Sequence, residues 1–187
     1  MDAQTATTRL LDAAAELFYG RGIQAVGMDE IRSASGVSLK RLYQLFPSKE
    51  SLVDAYLRRR DIRWRESLEG HADAQATPRE RILAVFDWLH DWFGEADFRG
   101  CGFINSFGEL GATSPAVAEI ARVHKDAFRR YIGRLVTAAG GEPSLADQLA
   151  LLAEGAMTTA AIHGSSDPAH QAKDAARVLL DAAGVKG

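Results

Sequence analysis

The sequence predicts an all-α protein of about nine helices: an N-terminal three-helix unit containing a helix-turn-helix, then a larger C-terminal helical region. Three observations predict it. Apolar residues recur at helical spacing through much of the chain, as in Leu10, Ala14, Leu17 and Phe18. Helix starts and stops are marked by Ser, Thr and Pro before the periodic runs and by Gly and Pro after them. Between Met28 and Glu50 two short periodic segments flank a tight Gly-Val turn.

The 187 residues, 47% of them hydrophobic, are ample for a packed core. One cysteine, Cys101, excludes an intramolecular disulfide and fits a reducing compartment. The N-terminus lacks the basic flank and continuous apolar run of a signal peptide, and no uncharged run approaches the ~18 residues of a membrane span. A cytoplasmic, membrane-free protein is expected. The net charge is −3, yet it is unevenly spread: residues 1–60 carry nine Lys/Arg against seven Asp/Glu. A local basic patch, rather than a basic protein, is what a DNA-binding surface requires.

In chain order, the first helix is predicted over Thr7–Tyr19 and ends at Gly20-Arg21-Gly22. The second starts at Met28 and turns Met28, Ile31 and Ala34 inward, with Gly27 at its capping position and no side-chain acceptor there. Gly36 sits where the bend needs positive φ, and Ser38 caps the third helix, Ser38–Phe46. Leu39, Leu42, Leu45 and Phe46 form its buried side; Lys40, Arg41, Tyr43 and Gln44 are left outward. Pro47 stops it, since the residue before proline is pushed out of the α region. Ser48 caps a fourth helix, Lys49–Leu68, with Leu52, Val53, Tyr56, Leu57 and Trp64 on its apolar side.

A short helix-turn-helix with basic residues outward is a device for reading the major groove. Lys40 and Arg41 suit base edges; Tyr43 and Lys49 suit phosphate. With the capping Ser38 and with Gln44 they form the candidate DNA-binding set. The following run, RRRDIRWR, reads as a solvated face, with Arg58 or Arg59 reaching phosphate as the functional alternative.

Residues 70–78 are small, polar and turn-prone and mark a junction. The fifth helix, Pro78–Phe93, has Thr77 as cap and two apolar faces, one of them carrying Trp88 and Trp92. A short sixth helix holds Phe103, Phe107 and Leu110. The seventh, Pro115–Ala139, faces His124, Phe128 and Tyr131 inward. The eighth, Leu145–Ile162, and the ninth, Ala169–Ala183, are rich in alanine.

Residues Thr7–Arg60 resemble the N-terminal domain of the tetracycline-repressor (TetR) family of bacterial transcription regulators. The resemblance rests on the helix ending LFYGRG, on MDEIRSASGVS, on LYQLF and on FPSKESLVDAYL, in that order and spacing. Three residues depart from the family pattern: Gly27 where Ser or Thr is usual, Arg32 where a small residue is usual, and Gln44 where His is common. The stretch FRGCGFIN is similar to C-terminal segments of some members. The resemblance implies a DNA-binding domain over 1–50, with its motif at about 27–46, and a regulatory, ligand-binding and dimerisation domain over 51–187.

An effector pocket is expected among Trp88, Trp92, Phe103, Asn105, Phe107, His124, Phe128 and Met157. They are large or adaptable side chains with few polar anchors, suited to a small, mostly apolar ligand. The resemblance points to the last two helices as a dimer seam. Leu149, Leu152, Ala153, Ala156, Ala172, Ala176, Leu179 and Leu180 are the residues expected there, in an isologous four-helix contact, with ordinary packing within the chain as the alternative. Cys101, between two glycines and near Arg99, reads as a small turn residue, with redox sensing as the alternative. No histidine or cysteine spacing suits a metal, no cofactor is implied, and no GxSxG, P-loop or complete GxGxxG supports an enzyme.

The expectation is a homodimeric repressor of a palindromic double-stranded DNA operator, released by a small-molecule effector. Two rivals remain: a regulator without an effector, and a helical small-molecule-binding protein or enzyme with a vestigial motif.

Overall fold

A computed structural model describes residues 2–186, which form nine α-helices and no strand. They are α1 (Ala3–Arg21), α2 (Met28–Ser35), α3 (Leu39–Leu45), α4 (Lys49–Asp73), α5 (Pro78–Phe93), α6 (Gly102–Leu110), α7 (Pro115–Ala138), α8 (Pro143–His163) and α9 (Asp167–Ala182).

Local chemistry sets most of these limits. α1 begins four residues before the predicted start at Thr7, because the Asp2 carboxylate accepts from the Thr5 amide at 2.8 Å. At α2 the glycine cap is compensated from within the helix: Glu30 reaches back to the Gly27 amide at 3.2 Å. Gly36 then takes φ 65°, and its N–H closes on the Arg32 carbonyl. Ser38 caps α3 by accepting from the Arg41 amide at 3.3 Å. The Thr77–Glu80 pair caps α5 reciprocally, with Pro78 at its first position.

Three expectations need correcting. α4 does not stop at Leu68; it runs through the polar segment to Asp73, leaving only residues 74–77 as linker. Ala72 is fully buried and Tyr131 Oη donates to Asp73 Oδ1 at 3.1 Å, so tertiary packing overrides a loop-like composition. Leu39, expected inward, is 43% exposed: at the first position of α3 its side chain tilts back off the helix end. On α2, Ala34 is exposed and Ser35 is buried instead. Its hydroxyl is satisfied by donating to the Arg32 carbonyl and accepting from the Val37 amide.

The chain forms two compact units, and they do not part at residue 50. The first extends to Arg63 and includes Gly102–Arg122. In it α1, α2 and α3 pack together over Leu10, Ala14, Phe18, Ile31 and Leu42, with Phe18 edge-on to Tyr56 at 5.6 Å. α6 belongs to this unit because Glu109 grips the α1–α2 loop. Its carboxylate accepts from the Ile23 and Gln24 amides at 3.1 and 2.9 Å, and its carbonyl accepts from the Gln24 side chain. The second unit comprises Trp64–Cys101 and the chain from Val123 onward. There α5, α8 and α9 pack on one another around Ile82, Leu89, Leu149, Ala153, Ala176 and Leu180. Lys173 of α9 pairs with Asp87 of α5, and Arg79 of α5 with Asp181 of α9.

Candidate nucleic-acid interface

The turn at Gly36 and the cap at Ser38 fix α3 with Leu42 and the flanking Phe46 inward. That orientation sends Lys40, Tyr43 and Gln44 to the surface, while Arg41 lies half-buried beside them. Arg41 Nη1 donates to Gln44 Oε1 at 3.3 Å, which holds both polar ends on one side of the helix. Leu39 joins this face, a residue the hydrophobic pattern alone assigned to the core. The signal that could have found it is its place at the first turn of a seven-residue helix. Lys49 stands at the start of α4, where Ser48 and Ser51 cap each other at 3.2 Å. Lysine beside a helix N-terminus suits a phosphate oxygen.

The arginines beyond this face have partners within the chain. Arg58 pairs with Asp54 through two nitrogens at 2.8 and 3.0 Å. Arg59 reaches Asp12 at 2.9 Å, and Arg60 lies 3.8 Å over the Tyr19 ring. On α2, Arg32 is turned along its own helix toward Asp29. In the basic run of α4, Arg58 and Arg63 keep side chains 66% and 63% exposed, as on a solvated face, whereas Arg59 is drawn in to 19%.

In the second unit, aromatic residues gather on Trp64. Its ring meets Trp88, Trp92, His124 and Phe128 edge-on at 5.2, 5.8, 5.0 and 5.6 Å. Trp88 and Trp92 lie 5.4 Å apart, and the Trp88 indole donates to Ser67 Oγ at 3.0 Å. The Trp64 Nε1–H, by contrast, is buried with no partner among the described residues. Helical spacing places Trp64 on the apolar side of α4 but does not reveal it as the centre of this group. Met157 is buried in the same unit. Of the other residues expected to line a pocket, Phe103, Asn105 and Phe107 sit on α6 in the first unit. There Phe103 is buried, Asn105 exposed and Phe107 55% exposed.

On α7, burial and a hydrogen bond to Asp73 push the Tyr131 phenol well above its ordinary range, so it stays a neutral donor. Cys101 is buried beside Lys125, while Arg99 donates to the Phe98 carbonyl. Lys125 Nζ lies 3.3 Å from the sulfur and also pairs with Glu154.

The seam residues need the clearest correction. Leu149, Ala153, Ala156, Ala172, Ala176 and Leu180 are all buried within the chain, where α5 covers the small-residue faces of α8 and α9; Leu152 and Leu179 are half-buried. What these helices leave outward is Leu151 at 72% exposure, Ile162 at 75% and Val178 at 67%. No group of three potential metal ligands, and no helix long and apolar enough to cross a membrane, occurs among the described residues.

Residues 10–56, from within α1 to the first turns of α4, match the family model described as "Bacterial regulatory proteins, tetR family". A solved TetR transcriptional regulator from Streptomyces avermitilis is 32% identical, over 97% of this chain and 99% of that one, with a TM-score of 0.83. The chain belongs to the TetR family. A TetR-family regulator from Streptomyces coelicolor superposes with a TM-score of 0.89 at 25% identity, covering 96% of each chain. The HTH-type transcriptional activator FasR of Mycolicibacterium smegmatis is 34% identical over 137 residues, 71% of this chain and 59% of that one. The chain spans about half the length of the curated relatives it matches, 59% for the first and 40% for the next.

The matched family is one of DNA-binding regulatory proteins, and the relatives named are transcriptional regulators. The chain's family-atypical Gly27 keeps the helix start through Glu30, whose carboxyl is held below its usual range by the Gly27 amide and then by Arg21. What is missing at Gly27 is one hydroxyl facing outward, and not the framework.

Proposed function

We propose that the protein acts in the cytoplasm as a homodimeric repressor that binds a palindromic operator and releases it when a small, mostly apolar effector binds. The observation that carries this is the outward face of α3: Lys40, Arg41, Tyr43 and Gln44 beside Leu39, presented by a capped helix on a glycine turn. Lys40 and Arg41 read base edges, Leu39 offers an apolar contact for a thymine methyl, and Tyr43 and Lys49 hold phosphate. Two-fold symmetry then requires recognition helices about 34–36 Å apart, or a multiple of that.

The dimer forms through the outward face of α8 and α9, where Leu151, Gly155, Thr158 and Ile162 fall on one stripe and Val178 lies on α9. The effector contacts the aromatic group in the second unit. There the unpartnered Trp64 Nε1–H gives it one hydrogen-bond donor in an otherwise apolar setting. Glu109 transmits the change, because its grip on Ile23 and Gln24 ties α6 to the loop entering α2. By linkage, effector and operator weaken each other by the same factor.

Footprinting on the DNA upstream of the protein's own gene tests this reading. Two protected half-sites one helical turn or a multiple apart support it, and a single half-site at dimer concentrations refutes the symmetric mode. A second reading has its own support: four rings close around Trp64, as in an ordinary core. In that reading the regulator has no effector, and no compound in a thermal-shift panel raises its melting temperature.

A further inference from the structure

The first unit contains a cavity of about 480 Å³ whose interior none of the preceding roles fills, although Lys49, Ile23 and Gln24 on its rim already have one. Three segments bound it: the α1–α2 loop at Ile23 and Gln24, the first turns of α4 at Lys49 and Val53, and the α6–α7 turn from Leu110 to Val117. Its volume lies within the range that holds small ligands. The side chains of Ile23, Val53, Leu110 and Val117 make its wall mostly apolar.

The polar groups at its edge are nearly all engaged. Gln24 donates to the Glu109 carbonyl, Thr113 donates to the Leu110 carbonyl, and Ser114 Oγ accepts from the Val117 amide. Asp54 is neutralised by the two-point Arg58 pair, and Glu50 is held by a hydrogen bond to Ser48. Lys49 is the exception. This half-buried residue has neither an ion pair nor a hydrogen bond among the described residues; its charge reaches Glu30 and Glu50 only through space, and it stands at the positive end of a 25-residue helix.

We propose that this cavity is a small-molecule site for an amphiphilic monocarboxylate, its apolar body against Val53, Leu110 and Val117 and its carboxylate on Lys49. One consequence follows directly. Lys49 serves a phosphate oxygen in the DNA-bound state, so a carboxylate on the same ammonium competes with DNA without any change of fold. This second site is separate from the aromatic group of the second unit. Its competition with DNA rests on the DNA-binding reading; its occupancy does not.

Calorimetric titration of the full-length protein, free of DNA, with octanoate, 1-octanol and octylammonium tests the site. Octanoate is expected to bind saturably and tighter than the other two. Lys49→Gln should weaken octanoate about fivefold, the upper end for a half-exposed ion pair, and leave octanol unchanged. Ala116→Phe, which places a ring in the cavity, should abolish octanoate binding. Circular dichroism confirms that each variant is folded. A preference for octylammonium, octanoate binding unaffected by both substitutions, or no saturable binding of octanoate by the wild type each overturns the proposal. Competition is read separately, with a labelled duplex at low salt: octanoate should weaken duplex binding to the wild type and not to Lys49→Gln. Loss of competition with octanoate binding intact overturns only the shared use of Lys49. Failure of the protein to bind any duplex refutes the DNA reading and leaves the titration result standing.

Discussion

The two units hold their shape by different means. In the first, short helices of seven and eight residues are fixed at their ends by Gly36, Ser38 and the Glu30 back-bond, with a thin core beneath them. In the second, long helices are fixed along their lengths by the Trp64 ring cluster and by the alanine faces that α5 covers. The difference teaches where side chains are free for function. Capping chemistry leaves the outer face of α3 uncommitted, whereas lateral packing consumes most large apolar side chains of the second unit and leaves Val123, Leu151, Ile162 and Val178 outside.

The contrast is most directly broken at Trp64. Trp64→Ala should cost about 3–5 kcal/mol in denaturant unfolding, the usual range for a buried tryptophan. A loss below about 1 kcal/mol would mean the rings are not a load-carrying core. Next is the seam. Leu151→Asp with Val178→Asp should leave the fold intact by circular dichroism while light scattering shows the monomer mass. Leu149→Asp instead should unfold the chain, since that side chain is fully buried. If Leu149→Asp gives a folded monomer, the buried stripe was the seam after all.

Smaller effects are expected in the first unit. Gly36→Ala should cost about 1–2 kcal/mol, because a φ of 65° is strained for any L side chain. The added methyl meets only the flexible end of Arg9. Ser38→Ala should cost about 1 kcal/mol through loss of the cap. The least is electrostatic. The Glu30 carboxyl is depressed, first by the Gly27 amide and then by Arg21, so its contribution is complete above the ordinary carboxylate range. It fades as the pH falls through the lowered value. Glu30→Gln should therefore flatten the acid limb of a stability–pH curve and leave the neutral limb parallel to wild type.

How much of this was legible in the sequence follows the same division. The helix-turn-helix could be read residue by residue because its determinants are local: a glycine at positive φ, a serine cap, a proline stop. Leu39 escaped because periodicity does not register that a first-turn side chain hangs off the helix end. The second unit was legible as helices and not as partners. Its alanine stripes were correctly seen as close-packing faces, yet nothing local says whether α5 or a second chain covers them. Trp64 escaped for a related reason, since its neighbours lie 24 or more positions away in the chain. The α4 terminus was hidden likewise, because a buried Ala72 and a bond from Tyr131 are invisible in a polar run.

The most direct test of the central claim is an anisotropy titration of the DNA upstream of the protein's own gene, at several salt concentrations, with wild type and with Lys40→Ala/Arg41→Ala. The account predicts saturable binding that weakens steeply with salt. In the variant, each lost base contact should cost about 1–3 kcal/mol and the preference over scrambled duplex should collapse. Specific binding that survives the double substitution unchanged would contradict the assignment of α3 as the reading helix.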